Sequence, residues 1–101
     1  MIILITAWYP GHKAKEVAEM FLKQAEKGNP PYIKKWLSFG TSDGKDGMKG
    51  YNLVYIEKGH VDEGLANIYK LIAPYYKIEG YSVKFEVLSL VSEAAKMLPL
   101  M

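Results

Sequence analysis

The chain opens on the uncharged apolar run Met1-Ile2-Ile3-Leu4-Ile5-Thr6-Ala7-Trp8, which ends at Tyr9-Pro10-Gly11-His12. A strand with one face in water would show polar residues at every second position, and this run shows no such alternation. It therefore predicts a central strand that is covered on both faces. Because 101 residues supply helices for only one face of a sheet, we expect a second copy of the chain to cover the other.

Composition limits the classes of protein to consider. A length of 101 residues with 50% hydrophobic residues predicts one domain, residues 1–101, with a sufficient core. A net charge of +2 does not indicate a nucleic-acid or membrane surface, and the lack of cysteine excludes disulfides and thiolate chemistry. The opening run is too short to span a membrane and lacks the features of a signal peptide, so a cytoplasmic protein is expected.

Periodicity and turn residues divide the rest of the chain. Apolar residues recur at helical spacing from Ala14 to Ala25, and Gly28 follows at the position of a left-handed helix cap. Later in the chain, Val83, Phe85 and Val87 alternate with charged residues, which is typical of a strand. The patterns predict, in order, a strand at 2–9, a helix at 12–27, strands at 32–40 and 51–58 joined by a mobile hairpin tip at 41–50, a helix from 61 shortened by Pro74, a strand at 81–91, and a short helix from Glu93 to Leu98, capped by Ser92 and closed by Pro99.

The order βαββαβ predicts a ferredoxin-like α+β fold. Two right-handed crossovers and one hairpin give a four-stranded antiparallel sheet in the order 4-1-3-2, with two helices on one face. The first strand is then central, which agrees with its apolar run. This order also places Trp8 and Tyr9, the hairpin tip and the junction at 75–81 at one end of the sheet, and His60 at the other.

The chain resembles the dimeric α+β barrel superfamily. The resemblance rests on a strand running into Tyr9-Pro10-Gly11-His12-Lys13 with Glu16-Val17 on the following helix, and on the pattern Tyr-Tyr-x-Ile-x-Gly-Tyr at 75–81. It spans nearly the whole chain at the level of the fold. It implies a sheet-to-sheet homodimer, in a superfamily that includes cofactor-free monooxygenases, haem-degrading enzymes, isomerases and small proteins of unknown role. It transfers no catalytic residues to this sequence.

The helix-free face of the sheet supplies the candidate ligand-binding residues. If Val54 points to the helices, then Tyr51, Leu53 and Tyr55 point away from them, and the same alternation predicts that Trp36 and Ser38 join them. Such an aromatic face has two interpretations: a packed dimer interface, or a cavity between paired sheets that holds a small apolar or aromatic ligand. Trp8, Trp36, Tyr51 and Tyr55 would line the cavity.

His12 is the candidate catalytic residue, because it follows Trp8 and Tyr9 and is the one group near them suited to proton transfer. A solvated residue at the start of a helix is the alternative interpretation. No metal site is predicted, since the expected topology separates His12 from His60. No cofactor is predicted either.

Three functions remain as hypotheses. The first is a homodimer that binds a small ligand, with cofactor-independent monooxygenase or isomerase chemistry as an option, and the second is a non-enzymatic regulatory or binding module with a packed interface. The third is binding of single-stranded RNA, because Lys49-Gly50-Tyr51 begins a partial match to the strand-three motif of RNA-recognition domains. The match is incomplete, because the positions where that motif needs aromatic residues hold Leu53, Ile56 and Ile3. The expected partner is therefore a second copy of the chain, and neither nucleic acid nor a membrane is expected as a partner.

Overall fold

The computed structural model describes residues 1–45 and 47–97. The predicted α+β order is confirmed, with four antiparallel strands in the order β2-β3-β1-β4. The elements are β1 (Ile2–Pro10), a 3-10 turn (Gly11–Lys13), α1 (Ala14–Glu26), β2 (Ile33–Ser42), β3 (Gly47–Ile56), α2 (Val61–Ile72), a second 3-10 turn (Ala73–Lys77), β4 (Ser82–Leu88) and α3 (Val91–Met97). Within the described ranges, no helix combines the length and hydropathy that crossing a membrane requires.

The clearest differences from the predicted boundaries lie at the hairpin and after the last strand. The hairpin tip expected at 41–50 is much shorter, because β2 continues to Ser42 and β3 begins at Gly47. The last strand ends at Leu88, and the final helix begins at Val91, so Ser92 lies inside it. The predicted end of that helix at Leu98 and Pro99 lies outside the described residues.

The core lies between α2 and one face of the sheet, called here the helix face. Ile3 and Ile5 of β1 and Val54 of β3 are at most 1% exposed and pack with Ile68 of α2. Gly64 brings α2 against the sheet, because a Cβ at this position would lie 2.5 Å from Cγ2 of Ile56. The uncharged first strand is therefore central, as its sequence predicts, and Ile3, Ile5 and Ala7 on its helix-facing side are buried.

Helix α1 packs less closely than α2. Val17 is its one buried residue, and it belongs to a second, smaller cluster with Tyr75 and Ile78. Phe21 remains 38% exposed and Leu22 60% exposed. The two clusters therefore leave unfilled space between α1 and the helix face.

The chain after the second 3-10 turn crosses close to the end of β1 at Gly80. Its φ of +83° is in the left-handed region, and a Cβ there would lie 2.5 Å from Cγ of Pro10. Gly28 has a similar φ of +74°, as expected of the cap after α1, but no atom lies within 4 Å of its Cβ position. The two glycines thus share a backbone requirement and differ in packing.

We expect Gly80→Ala to destabilise the fold more than Gly28→Ala. Left-handed backbone costs an alanine about 1–2 kcal/mol at either position, and the contact with the Pro10 ring adds at least ~1 kcal/mol at position 80. Urea unfolding of the two variants measures the difference directly. Equal losses would show that the chain relaxes away from Pro10 without cost.

Candidate functional site

A cleft of about 600 Å³ lies between α1 and the helix face of the sheet, and we call it the α1–sheet cleft. It separates the two core clusters, with Trp36 and Ile72 on one side and Tyr9, Val17 and Tyr75 on the other. Its size falls within the range of about 300–1,000 Å³ that is usual for small-molecule sites. The cleft is therefore large enough to hold a small molecule.

The floor of the cleft consists of three small residues in one row across the sheet. Ala7 of β1 pairs with Gly50 of β3, which pairs in turn with Gly40 of β2. All three lie on the helix face and line the cleft. Because a row of larger side chains would fill this space, the cleft is a direct consequence of glycine at two positions inside strands.

A polar cluster stands in the neighbouring row of the floor. The indole Nε1 of Trp36 donates a hydrogen bond to Oδ1 of Asn52 at 2.9 Å, and Oγ of Ser38 donates to the same oxygen at 2.6 Å. An indole N–H can only donate, so the amide atom that faces it must be the oxygen. The orientation of the Asn52 amide is therefore fixed by its neighbours.

A second polar group joins α1 to the end of α2. Gln24 donates from Nε2 to the carbonyl oxygen of Leu71 at 2.8 Å, and the Tyr75 hydroxyl donates to Oε1 of Gln24 at 2.8 Å. Burial raises the pKa of Tyr75 to about 12, so its phenol remains protonated at neutral pH. This group holds the wall of the cleft together and leaves it uncharged.

Tyrosines form the wall nearest the end of β1. The ring of Tyr81 stacks on Tyr75 at 5.3 Å and on Tyr9 at 6.1 Å between centroids. Burial also raises the pKa of Tyr81 well above its usual value. The predicted meeting of Tyr9 with the 75–81 junction is confirmed, and it gives the cleft an aromatic wall.

Neither α1 nor α2 covers the opposite side of the sheet, and we call it the open face. It is formed by alternate residues of the four strands, namely Ile2, Leu4, Thr6 and Trp8 of β1, Lys35, Leu37, Phe39 and Thr41 of β2, Lys49, Tyr51, Leu53 and Tyr55 of β3, and Ser82, Lys84, Glu86 and Leu88 of β4. The ammonium of Lys49 lies 5.5 Å from the ring centroid of Trp8 and 5.1 Å from that of Tyr51. The Tyr51 hydroxyl beside it raises the pKa of Lys49.

The four sequence-predicted ligand-binding residues are divided between the two faces. Trp8, Tyr51 and Tyr55 lie on the open face, as predicted. The expected placement of Trp36 and Ser38 on that face is wrong, because Trp36 pairs with Val54 and faces the helices. A register shift between Ile33 and Lys35 inserts one residue into β2 and reverses the alternation that the sequence suggests.

Neither histidine belongs to the cleft. His12 is exposed in the 3-10 turn after β1 and does not line the cleft. His60 lies at the other end of the sheet, as predicted, and its ring stacks on Tyr32. Its Nδ1 lies 3.0 Å from Oε2 of Glu63, and this hydrogen bond lowers the pKa of Glu63. Across residues 1–45 and 47–97, no three side chains suited to metal binding come together.

The residues that sequence reasoning missed are those of the cleft, above all Asn52, Gln24, Gly40 and Gly50. The sequence places Gly50 in the predicted hairpin tip and Gly40 at the end of a predicted strand, and glycine inside a strand pattern also indicates close approach of a ligand or of another backbone. No protein-family model matches the chain, and no curated protein matches its sequence significantly.

Proposed function

We propose that this protein binds a small apolar or aromatic molecule in the α1–sheet cleft, as one protomer of a homodimer paired through the open face. The observation that supports this proposal is the composition of the cleft. It combines a floor of small residues, aromatic walls and a preoriented amide at Asn52, which is the usual composition of a ligand site.

Binding is favoured over acid–base catalysis by the chemistry of the lining. Among the described residues that line the cleft, none is Asp, Glu, Lys, Arg or His. A general acid or base works best with a pKa near the operating pH, and the pKa of the Tyr75 phenol is about 12. His12, the predicted proton-transfer group, lies outside the lining. The proposed role is thus that of a binding module.

A second copy of the chain is the proposed partner of the open face. Leu4, Leu37 and Leu53 form one continuous row across three strands of this face. The superfamily that the chain resembles pairs such faces between two copies. In this arrangement Trp8, Tyr51 and Tyr55 serve as interface anchors, in agreement with the packed-interface hypothesis. The cleft, on the other face, then gives each protomer its own site.

The two tryptophans allow a direct test of the ligand site, because Trp36 lines the cleft and Trp8 lies on the open face. We expect the uncharged dye Nile red to bind with a dissociation constant in the low micromolar range. This value follows from a binding free energy of about −0.3 kcal/mol for each of its roughly two dozen non-hydrogen atoms. In a Trp8→Phe variant the dye should quench Trp36 emission saturably, at one dye per protomer. In a Trp36→Phe variant, Trp8 emission should change much less. Quenching of Trp8 alone would instead place the dye on the open face.

A further inference from the structure

The α1–sheet cleft lacks any charge to balance a charged ligand. Its described lining includes the aromatic side chains of Tyr9, Phe21, Trp36, Tyr75 and Tyr81 and no ionisable group other than tyrosine. Moving a carboxylate or an ammonium ion from water into such surroundings is unfavourable unless a partner charge or several hydrogen bonds compensate it. The lining therefore selects against charged molecules.

The polar groups of the cleft differ in what they leave available to a ligand. Gln24 uses its Nε2 on the Leu71 carbonyl and its Oε1 on the Tyr75 hydroxyl. Asn52 uses only its Oδ1, which accepts from both Trp36 and Ser38. Among the hydrogen bonds of the described residues, none involves Nδ2 of Asn52, so this nitrogen keeps two N–H donors.

We infer that the cleft selects an uncharged, planar aromatic molecule that carries a hydrogen-bond acceptor, such as a carbonyl oxygen, and that Asn52 donates from Nδ2 to this acceptor. The inference rests on the proposed function and specifies its ligand class. Trp36 and Ser38 act as positioning residues, because they occupy Oδ1 and leave the donor end of the amide for the ligand. The aromatic wall of Tyr9, Tyr75 and Tyr81 accommodates the planar part of the molecule.

Three naphthalenes of similar shape test this selection by competition with Nile red. 2-Acetylnaphthalene is neutral with an acceptor, 2-isopropylnaphthalene is neutral without one, and 2-naphthoate is charged. We expect 2-acetylnaphthalene to bind about tenfold more tightly than the isopropyl compound, the usual effect of one buried hydrogen bond. We expect 2-naphthoate to bind at least about 100-fold more weakly than 2-acetylnaphthalene.

Asn52→Leu should remove the preference for the acetyl over the isopropyl compound. Nile red, whose own carbonyl oxygen loses the same donor, should still bind measurably, about tenfold more weakly. The matched control is Asn67→Leu, which also removes a carboxamide. Asn67 donates to the carbonyl oxygen of Pro31 at 2.9 Å, and neither residue lines the cleft. The control should keep the tenfold preference. Equal binding of all three naphthalenes to the wild-type protein, or an unchanged preference in Asn52→Leu, overturns the inferred ligand class and leaves the proposed site standing. Failure of Nile red itself to bind overturns both.

Discussion

A Gly50→Val protein is expected to be more stable than the wild type and to have lost the proposed ligand site. Glycine inside a strand costs roughly 0.5–1 kcal/mol of stability relative to alanine, and valine is among the residues that favour strands. A Cβ at position 50 meets only the carbonyl oxygen of Phe39, at the ordinary distance of 3.6 Å. The valine side chain therefore has room, and the room it takes is the floor of the α1–sheet cleft.

Urea unfolding and Nile red titration measure the two effects separately. We expect the free energy of unfolding to rise by about 0.5–1 kcal/mol and the affinity for the dye to fall at least about tenfold, because the branched side chain occupies the volume between Ala7 and Gly40. Gly40→Val is a second test, since nothing lies within 4 Å of its Cβ position. Gly47→Val, on the same strand as Gly50 but outside the cleft, should leave binding unchanged. Full affinity in both cleft variants would show that the dye binds elsewhere.

The fold was predictable because its signals are local and repeated. The uncharged run from Ile2 to Trp8 indicated a central strand, and its place between β3 and β4 follows from the βαββαβ order alone. The spacing of apolar residues from Ala14 to Ala25 likewise defined α1 to within two residues at each end. These predictions needed no knowledge of how the layers pack.

The cleft was not predictable in the same way, because it depends on pairing register. In the sequence, Gly50 looks like a turn residue and Gly40 like the last residue of a strand, with Gly44 and Gly47 between them. Only the register, with Gly50 opposite both Ala7 and Gly40, shows that they share one row of the sheet. A single extra residue near Lys35 has a similar effect on Trp36, because one inserted residue moves every later side chain of a strand to the other face.

A Leu53→Lys protein is expected to remain folded and to be a monomer, where the proposed state of the wild type is a dimer. Leu53 is half-buried on the open face, in one row with Leu4 and Leu37, so a lysine there is compatible with the isolated fold. In a two-fold symmetric interface, each dimer gains two such lysines. An unpaired buried charge costs about 3 kcal/mol or more, so the dimer dissociation constant should rise by about 10⁴-fold.

Sedimentation equilibrium across a dilution series measures this change, and far-UV circular dichroism verifies that the variant is folded. Leu22→Lys is the matched control, because Leu22 is 60% exposed on α1 and lies outside both the open face and the cleft. It should sediment as the proposed dimer, in the same way as the wild type. A wild-type protein that is monomeric throughout the series contradicts the dimer.

A monomer would leave single-stranded RNA as the alternative partner of the open face. In that case the protein should bind oligouridylate at low salt, and the affinity should fall as the salt concentration rises. The platform for the RNA would then consist of the rings of Trp8, Tyr51 and Tyr55 beside Lys49.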